Sequence, residues 1–175
     1  MNDAHLHMVF NHFPIIGTIF GFGILLAGIL LKNKSIQHTA FVLLIISAIF
    51  GLLTMRTGEG AEEIAEELGI SHDLIHEHEE IAEKFAILLY LTGAVSLLSL
   101  ITSIKNHAKA KVFAFVTLFL SLGGAILSKS VGTSGGELRH TEIRDGFSAS
   151  EENHESTENK GIEDHSEENH SNHSH

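Results

Sequence analysis

Four long stretches of the chain, residues 14–31, 40–55, 85–104 and 112–128, contain no Asp, Glu, Lys or Arg over 18, 16, 20 and 17 positions. A helix of a water-soluble domain needs a charged or polar face opposite its apolar stripe, and these stretches have none to offer. An 18-residue helix rises ~27 Å at about 1.5 Å per residue, close to the ~30 Å hydrocarbon core of a bilayer, so each stretch is read as one crossing. The 16-residue stretch is the shortest, and Thr39 and Thr57 at its flanks carry it into the interface. The predicted fold class is all-α, a four-transmembrane-helix bundle of a polytopic integral membrane protein, with helices at 14–31, 39–56, 72–104 and 112–129. Residues 1–145 form the membrane domain in this reading. Residues 146–175, built largely from Glu, Asn, His and Ser, lack the apolar surface to fold and are read as a disordered His/acid tail.

Charge decides the rest of the topology. The connections at residues 32–38 and 105–111 hold five lysines and no acid, which places them on the cytoplasmic side. All 22 acids then fall on the opposite side, and both termini come out external. The expected location is a bacterial inner membrane with the termini in the periplasm. Residues 1–13 have no Lys or Arg and no small-x-small site follows Leu31, so the first helix is read as retained rather than cleaved. The net charge of −11 divides into −4 over residues 1–145 (14 acids, 10 Lys and Arg) and −7 over residues 146–175 (8 acids, one Lys). Without a basic face, nucleic acid is excluded as a partner; the lipid bilayer, a membrane-complex partner or a second copy of the chain remain. The absence of cysteine removes disulfides, thiolate metal sites, iron–sulfur clusters and covalently attached haem.

The connection at residues 56–84 has a pattern of its own. Residues 59–68 read as a short acidic helix stopped by Gly69, and Ser71 is a plausible N-cap for the next helix. No Pro or Gly interrupts residues 72–92, so that helix runs unbroken into the membrane with its first three turns outside. On it, Leu74, His78, Ile81, Phe85 and Leu88 share one stripe, which turns His78 toward the bundle and leaves His76 to the side. After the fourth helix, the Gly, Ser and Thr of residues 131–136 read as a turn over the bundle's outer end.

Chemistry-bearing residues gather at that outer end. His7 and His12 precede the first helix, Glu59 follows the second, His76, His78 and Glu79 lead into the third, and Glu137 and His140 follow the fourth. Imidazole supplies a neutral nitrogen for Zn, Cu, Ni or Fe, and carboxylates supply charge-neutralising oxygens, so this set is the candidate metal site. His72 and His76, at i and i+4, can also chelate one ion on a helix face. The five histidines after residue 150 can collect metal loosely. No HExxH, EF-hand, P-loop or GxSxG motif occurs.

The stretch His7-Met8-Val9-Phe10-Asn11-His12-Phe13-Pro14 is similar to the opening His-Pro-x-x-x-His-Phe-Pro of an uncharacterised family of bacterial four-helix inner-membrane domains. Thr57-Gly58, His78-Glu79-x-x-Ala82 and Gly135-Gly136-Glu137-Leu138 resemble its other signatures, with Met8 in place of the usual Pro and Arg139-His140 in place of a Val-Tyr pair. The resemblance implies a membrane location and a His-bearing outer end, and it carries over His7, His12 and His78; His140 is an addition of this sequence.

The functional expectation is a membrane protein that binds a transition metal at its external His/Glu cluster. One alternative is an electron-transfer subunit with haem b held between His12 and His78. The other is a cofactor-free structural or assembly partner in a membrane complex. No residue set names a substrate, and no catalytic residue is assigned. None of the four stretches holds an ionisable residue except Tyr90, which weighs against an ion or proton carrier.

Overall fold

A computed structural model describes residues 2–144; the expected tail lies outside them. Six α-helices run in the order α1 (Asp3–Phe10), α2 (His12–Leu30), α3 (Lys34–Arg56), α4 (Gly58–Glu67), α5 (His72–Ile104) and α6 (Ala110–Glu137), followed by a 3-10 turn at Thr141–Ile143. No strand occurs among the described residues. Two compact units divide at residue 138. In the first, α2, α3, α5 and α6 form the all-α four-helix bundle, each packed on two others in a closed ring, α2 on α3, α3 on α5, α5 on α6 and α6 on α2. All four are long and apolar enough to cross a membrane.

The bundle interior is built from small residues, which let the backbones approach. A Cβ added to Gly17 would strike the Ser47 side chain, one on Gly21 would lie 2.6 Å from Leu44, and one on Gly93 would lie 2.5 Å from the Ala48 Cβ. The space left is filled by hydroxyls. Thr92, Ser96, Ser99 and Ser103 line one face of α5 at i, i+4, i+7 and i+11, all buried, and face Ser47 of α3, Thr18 of α2 and Thr117, Ser121 and Ser128 of α6 across the interior. Most of them donate to a carbonyl three or four residues back in their own helix, as Thr18 does to Pro14 at 2.6 Å and Ser47 to Leu43 at 2.8 Å. Ser99 and Thr117 lie 2.8 Å apart, and one of the two hydroxyls turns its hydrogen to the other instead of to its own helix, linking α5 to α6. Apolar packing concentrates in two clusters: Leu25, Phe41 and Leu44 toward the end with the α2–α3 connection, and Phe85, Leu89 and Val131 toward the opposite end.

Two elements differ from the sequence reading. Residues 131–136 were expected to turn; instead α6 continues through them to Glu137. The physical reason is packing: Val131 is buried against Phe85 and Leu89, and Ser134 and Gly135 lie against His78, so tertiary contacts hold in helix a stretch whose local composition favours a turn. The residues before Pro14 were given no element, yet Asp3–Phe10 is a helix capped by Asn2, whose side chain accepts from the His5 N–H at 3.0 Å. Its Asp3 lies against Gly60, so α1 docks on α4 where a side chain on that glycine would collide. The acidic helix and the long helix after it stand as read. α5 spans residues 72–104 with Ser71 at its N-cap, and α4 ends before Gly69, whose φ of 79° suits only glycine readily.

Candidate functional site

At the end of the bundle that carries α1 and α4, two imidazoles each tie neighbouring segments together. His7, on the bundle-facing side of α1, donates its Nδ1–H to the Thr54 carbonyl at 3.1 Å and lies 3.5 Å from the Thr57 hydroxyl, both at the end of α3. His78, on the second turn of α5, bonds through Nδ1 to Ser134 of α6 at 2.9 Å. Which group donates in this bond depends on the imidazole tautomer, since the Ser134 hydroxyl also reaches the Val131 carbonyl at 3.3 Å. A Cβ on Gly135 would stand 3.1 Å from Cε1 of His78, so this glycine leaves the room that the ring occupies. Both rings lie outside the uncharged crossings. Burial pushes each below the ordinary histidine range; the bond to Thr54 opposes this at His7, and the nearby charge of His7 adds to it at His78. The two are therefore neutral imidazoles at neutral pH. His7 thus touches Thr57 at the end of α3, and His78 touches Ser134 and Gly135 of α6.

A second group forms where α4 folds back on α5. The turn through Gly69 brings the end of the acidic helix against the first residue of α5, and ligand atoms of Glu62, Glu66 and His72 all lie within 4.8 Å of one another. Glu62 and Glu66 sit at i and i+4 on α4, so one helix face supplies both carboxylates. The His72 and His76 rings lie nearly parallel, 6.4 Å apart with 22° between planes. Glu79 adjoins the group: burial raises its carboxyl above the usual range, and a hydrogen bond to Glu62 and that residue's charge raise it further.

The remaining predicted ligands take other positions. His12 is exposed, and its Nδ1–H donates to the Met8 carbonyl of the preceding turn at 3.0 Å. It lines a shallow apolar groove of about 270 Å³ between α2 and α3 with Phe13, Phe20 and Phe50, and so does not join His7 and His78. His12 of the haem reading thus lies in the α2–α3 groove, and His78 bonds to α6. His76 is exposed, Glu59 is exposed on the first turn of α4, and Glu137 closes α6 half-buried. His140, in the second unit, pairs with Glu142 at 2.8 Å; the Glu142 backbone N–H and that histidine hold the Glu142 carboxyl below its usual range. At the opposite end of the bundle, His38 shares a 2.8 Å hydrogen bond with Ser103.

Sequence reasoning listed His76 and Glu79 but passed over the Glu62, Glu66 and His72 triad. Its one legible signal was the i, i+4 pair of glutamates followed by a glycine stop. The fold-back that adds His72 is a tertiary fact.

No protein-family model, no curated protein and no solved structure matches this chain.

Proposed function

We propose that this is an inner-membrane protein of a bacterium that binds a divalent transition metal on its external face, at the α4–α5 group of Glu62, Glu66 and His72, with His76 and Glu79 beside it. The observation that carries the reading is the approach of three ligand atoms, two carboxylate and one imidazole, within 4.8 Å. A tetrahedral ion with bonds of ~2.0–2.2 Å holds its ligands ~3.4 Å apart, a contraction that small rotations of exposed side chains supply. Two carboxylates neutralise a divalent charge, and the imidazole selects a borderline metal over Ca or Mg. The fourth position stays open to water or to a carried ligand. The five lysines of the two short connections place this group in the periplasm, with both termini on the same side. The His-rich segment after residue 150 would then act as a loose collector for the same metal.

The test uses the full chain in mild detergent, with the five histidines after residue 150 replaced by Asn. Zn(II) should bind with one equivalent per chain, read by elemental analysis after dialysis. His72→Ala combined with Glu62→Gln should weaken that equivalent by more than the roughly 10- to 100-fold that loss of an outer-shell partner causes. Unchanged occupancy in the double variant would remove the site.

A further inference from the structure

The groove between α2 and α3 has the dimensions of a single hydrocarbon chain. Gly17 and Ser47, both buried, lie deepest in it, and a Cβ on Gly17 would strike the Ser47 side chain, so the two helices meet there without space to spare. Phe13, Ile16 and Phe20 of α2 stand along one side and Leu43 and Phe50 of α3 along the other. The Phe13 and Phe50 rings stack at 4.4 Å with 15° between planes, which fixes the spacing of the two sides at the end next to α1. From His12 to Phe20 the groove follows the helix axis for ~12 Å at about 1.5 Å per residue, close to the ~15 Å that one leaflet contributes to the hydrocarbon core. A volume of about 270 Å³ over that length leaves a section of roughly 20 Å², about 5 Å wide, whereas a helix with its side chains is ~10–12 Å across. A helix of a second copy does not enter so narrow a slot. The lining asks for nothing polar: the Ser47 hydroxyl already donates to the Leu43 carbonyl at 2.8 Å, and the Nδ1–H of His12 is engaged by the Met8 carbonyl.

We propose that this groove holds one acyl chain of a phospholipid with an ammonium-bearing headgroup of the ethanolamine type, drawn from the leaflet on the α1 side, its tail reaching toward Phe20 and Leu43 and its headgroup lying beyond His12. Direction is the first argument. The groove opens at His12, where the charge-free crossing begins, and runs inward parallel to the helices, as a lipid tail does. Charge is the second. α1, which packs on α2, α3 and α4, carries Asp3 and no Lys or Arg, and α4 carries five glutamates and no Lys or Arg, while Arg56 closes α3 at the same end. A headgroup with both an ammonium and a phosphate matches that surface, and one with net negative charge is repelled by it. Moving a tail from bulk lipid into the groove exchanges one hydrocarbon for another, so retention rests on van der Waals contact with side chains already held in place, not on a hydrophobic gain. The site is separate from the α4–α5 triad and does not depend on metal.

The chain has no tryptophan, so a single one placed in it is the sole indole emitter. Phe20→Trp puts it on the groove, at a position 60% exposed, and Phe119→Trp puts it on the outside of α6, 69% exposed, as a control that meets bulk lipid. Each full-length variant is placed in phosphatidylcholine bilayer discs, matched to the parent by far-ultraviolet dichroism, and titrated with phosphatidylethanolamine whose acyl chains carry bromine, a short-range quencher. Half-quenching of the Phe20→Trp emitter is expected at a mole fraction roughly threefold or more below that of the control, a ratio equivalent to one ordinary interhelical contact in a membrane. Brominated phosphatidylglycerol should require roughly fivefold more than the ethanolamine lipid at the groove and should show no such difference at the control. Leu43→Phe, which adds bulk on the α3 side, should bring the groove emitter back to the control value. Equal quenching of the two emitters would mean ordinary boundary lipid and overturn the proposal. Weaker quenching at the groove than at the control would mean that a second copy covers it, and would overturn it as well. A preference for the glycerol headgroup, or a threefold advantage that survives Leu43→Phe, would do the same.

Discussion

Adding one methyl group at the α3–α5 crossing should destabilise the bundle, and moving it across the interface should restore it. A Cβ on Gly93 would lie 2.5 Å from the Ala48 Cβ, whereas its next neighbours, the Leu44 carbonyl oxygen and the Ala48 Cα, stand at 3.9 and 4.0 Å. Carbon atoms pack at ~3.5–4.0 Å, so Gly93→Ala forces α3 and α5 apart by roughly 1 Å over their contact. Overpacking of this kind costs ~1–3 kcal/mol, less the advantage of about 1 kcal/mol that Ala has over Gly inside a helix. A net loss of up to ~2 kcal/mol is expected for the single variant. Ala48→Gly removes the opposing methyl, so the pair Gly93→Ala with Ala48→Gly exchanges the two residues across the crossing and should return to within ~0.5 kcal/mol of the parent, a coupling that only neighbours show. Stability is read by SDS titration of the detergent-solubilised protein followed by far-ultraviolet dichroism. If Gly93→Ala is neutral, or if the exchange is no better than the single variant, the crossing is not set by these two residues.

Thr117→Val removes the cross-helix bond to Ser99 while its shape is kept; the same titration should show a loss near ~0.6 kcal/mol, the average for interhelical hydrogen bonds in membranes, and no loss would mean the back-bonded hydroxyls already suffice. Burial holds His7 and His78 below the histidine range of the unfolded chain, so the folded state binds fewer protons; stability should be full above the unfolded value of ~6.5 and fall as pH drops through and below it. His7→Gln with His78→Gln should flatten that slope, and an equal slope in parent and variant would refute the assignment. Reporters fused after Lys34 and Lys109 should read cytoplasm, and one after Asp145 should read exterior; a cytoplasmic signal after Asp145 would reverse the topology.

The bundle was legible in the sequence because the signal for a crossing is local: a run without charge, long enough for the bilayer. The bounds of α5 were equally legible, since Gly69, Ser71 and an uninterrupted run mark them within a few residues of one another. What escaped was decided by contacts distant in sequence. The Gly and Ser of residues 131–136 read as a turn by composition, and their packing on α5, Val131 on Phe85 and Leu89 and Ser134 on His78 56 positions away, keeps them helical. His12, next to the apolar run, looked as able as His7 to face the mouth. One further turn of α1 and α2 carries it out to an exposed position and onto the Met8 carbonyl. The inward row of Thr92, Ser96, Ser99 and Ser103 was present at helical spacing, but hydroxyls within a hydrophobic run raise no hydropathy signal.

The distribution of bulk in this bundle reverses that of a protein in water. Of the twelve largest fully buried side chains, eight are Ser or Thr, while Phe20, Leu30, Ile87, Phe119 and Ile126 point outward at 60% exposure or more. Exchange among Leu, Ile, Val and Phe on the outside alters nothing that lipid tails can distinguish, whereas one added carbon on the inside pries two helices apart. Among descendants of such a chain, the large greasy residues should drift freely and the small ones stay fixed. An alignment scored by the habits of water-soluble proteins would give weight to the wrong columns, and two chains sharing this architecture could look unrelated while keeping the same pattern of glycines, serines and threonines.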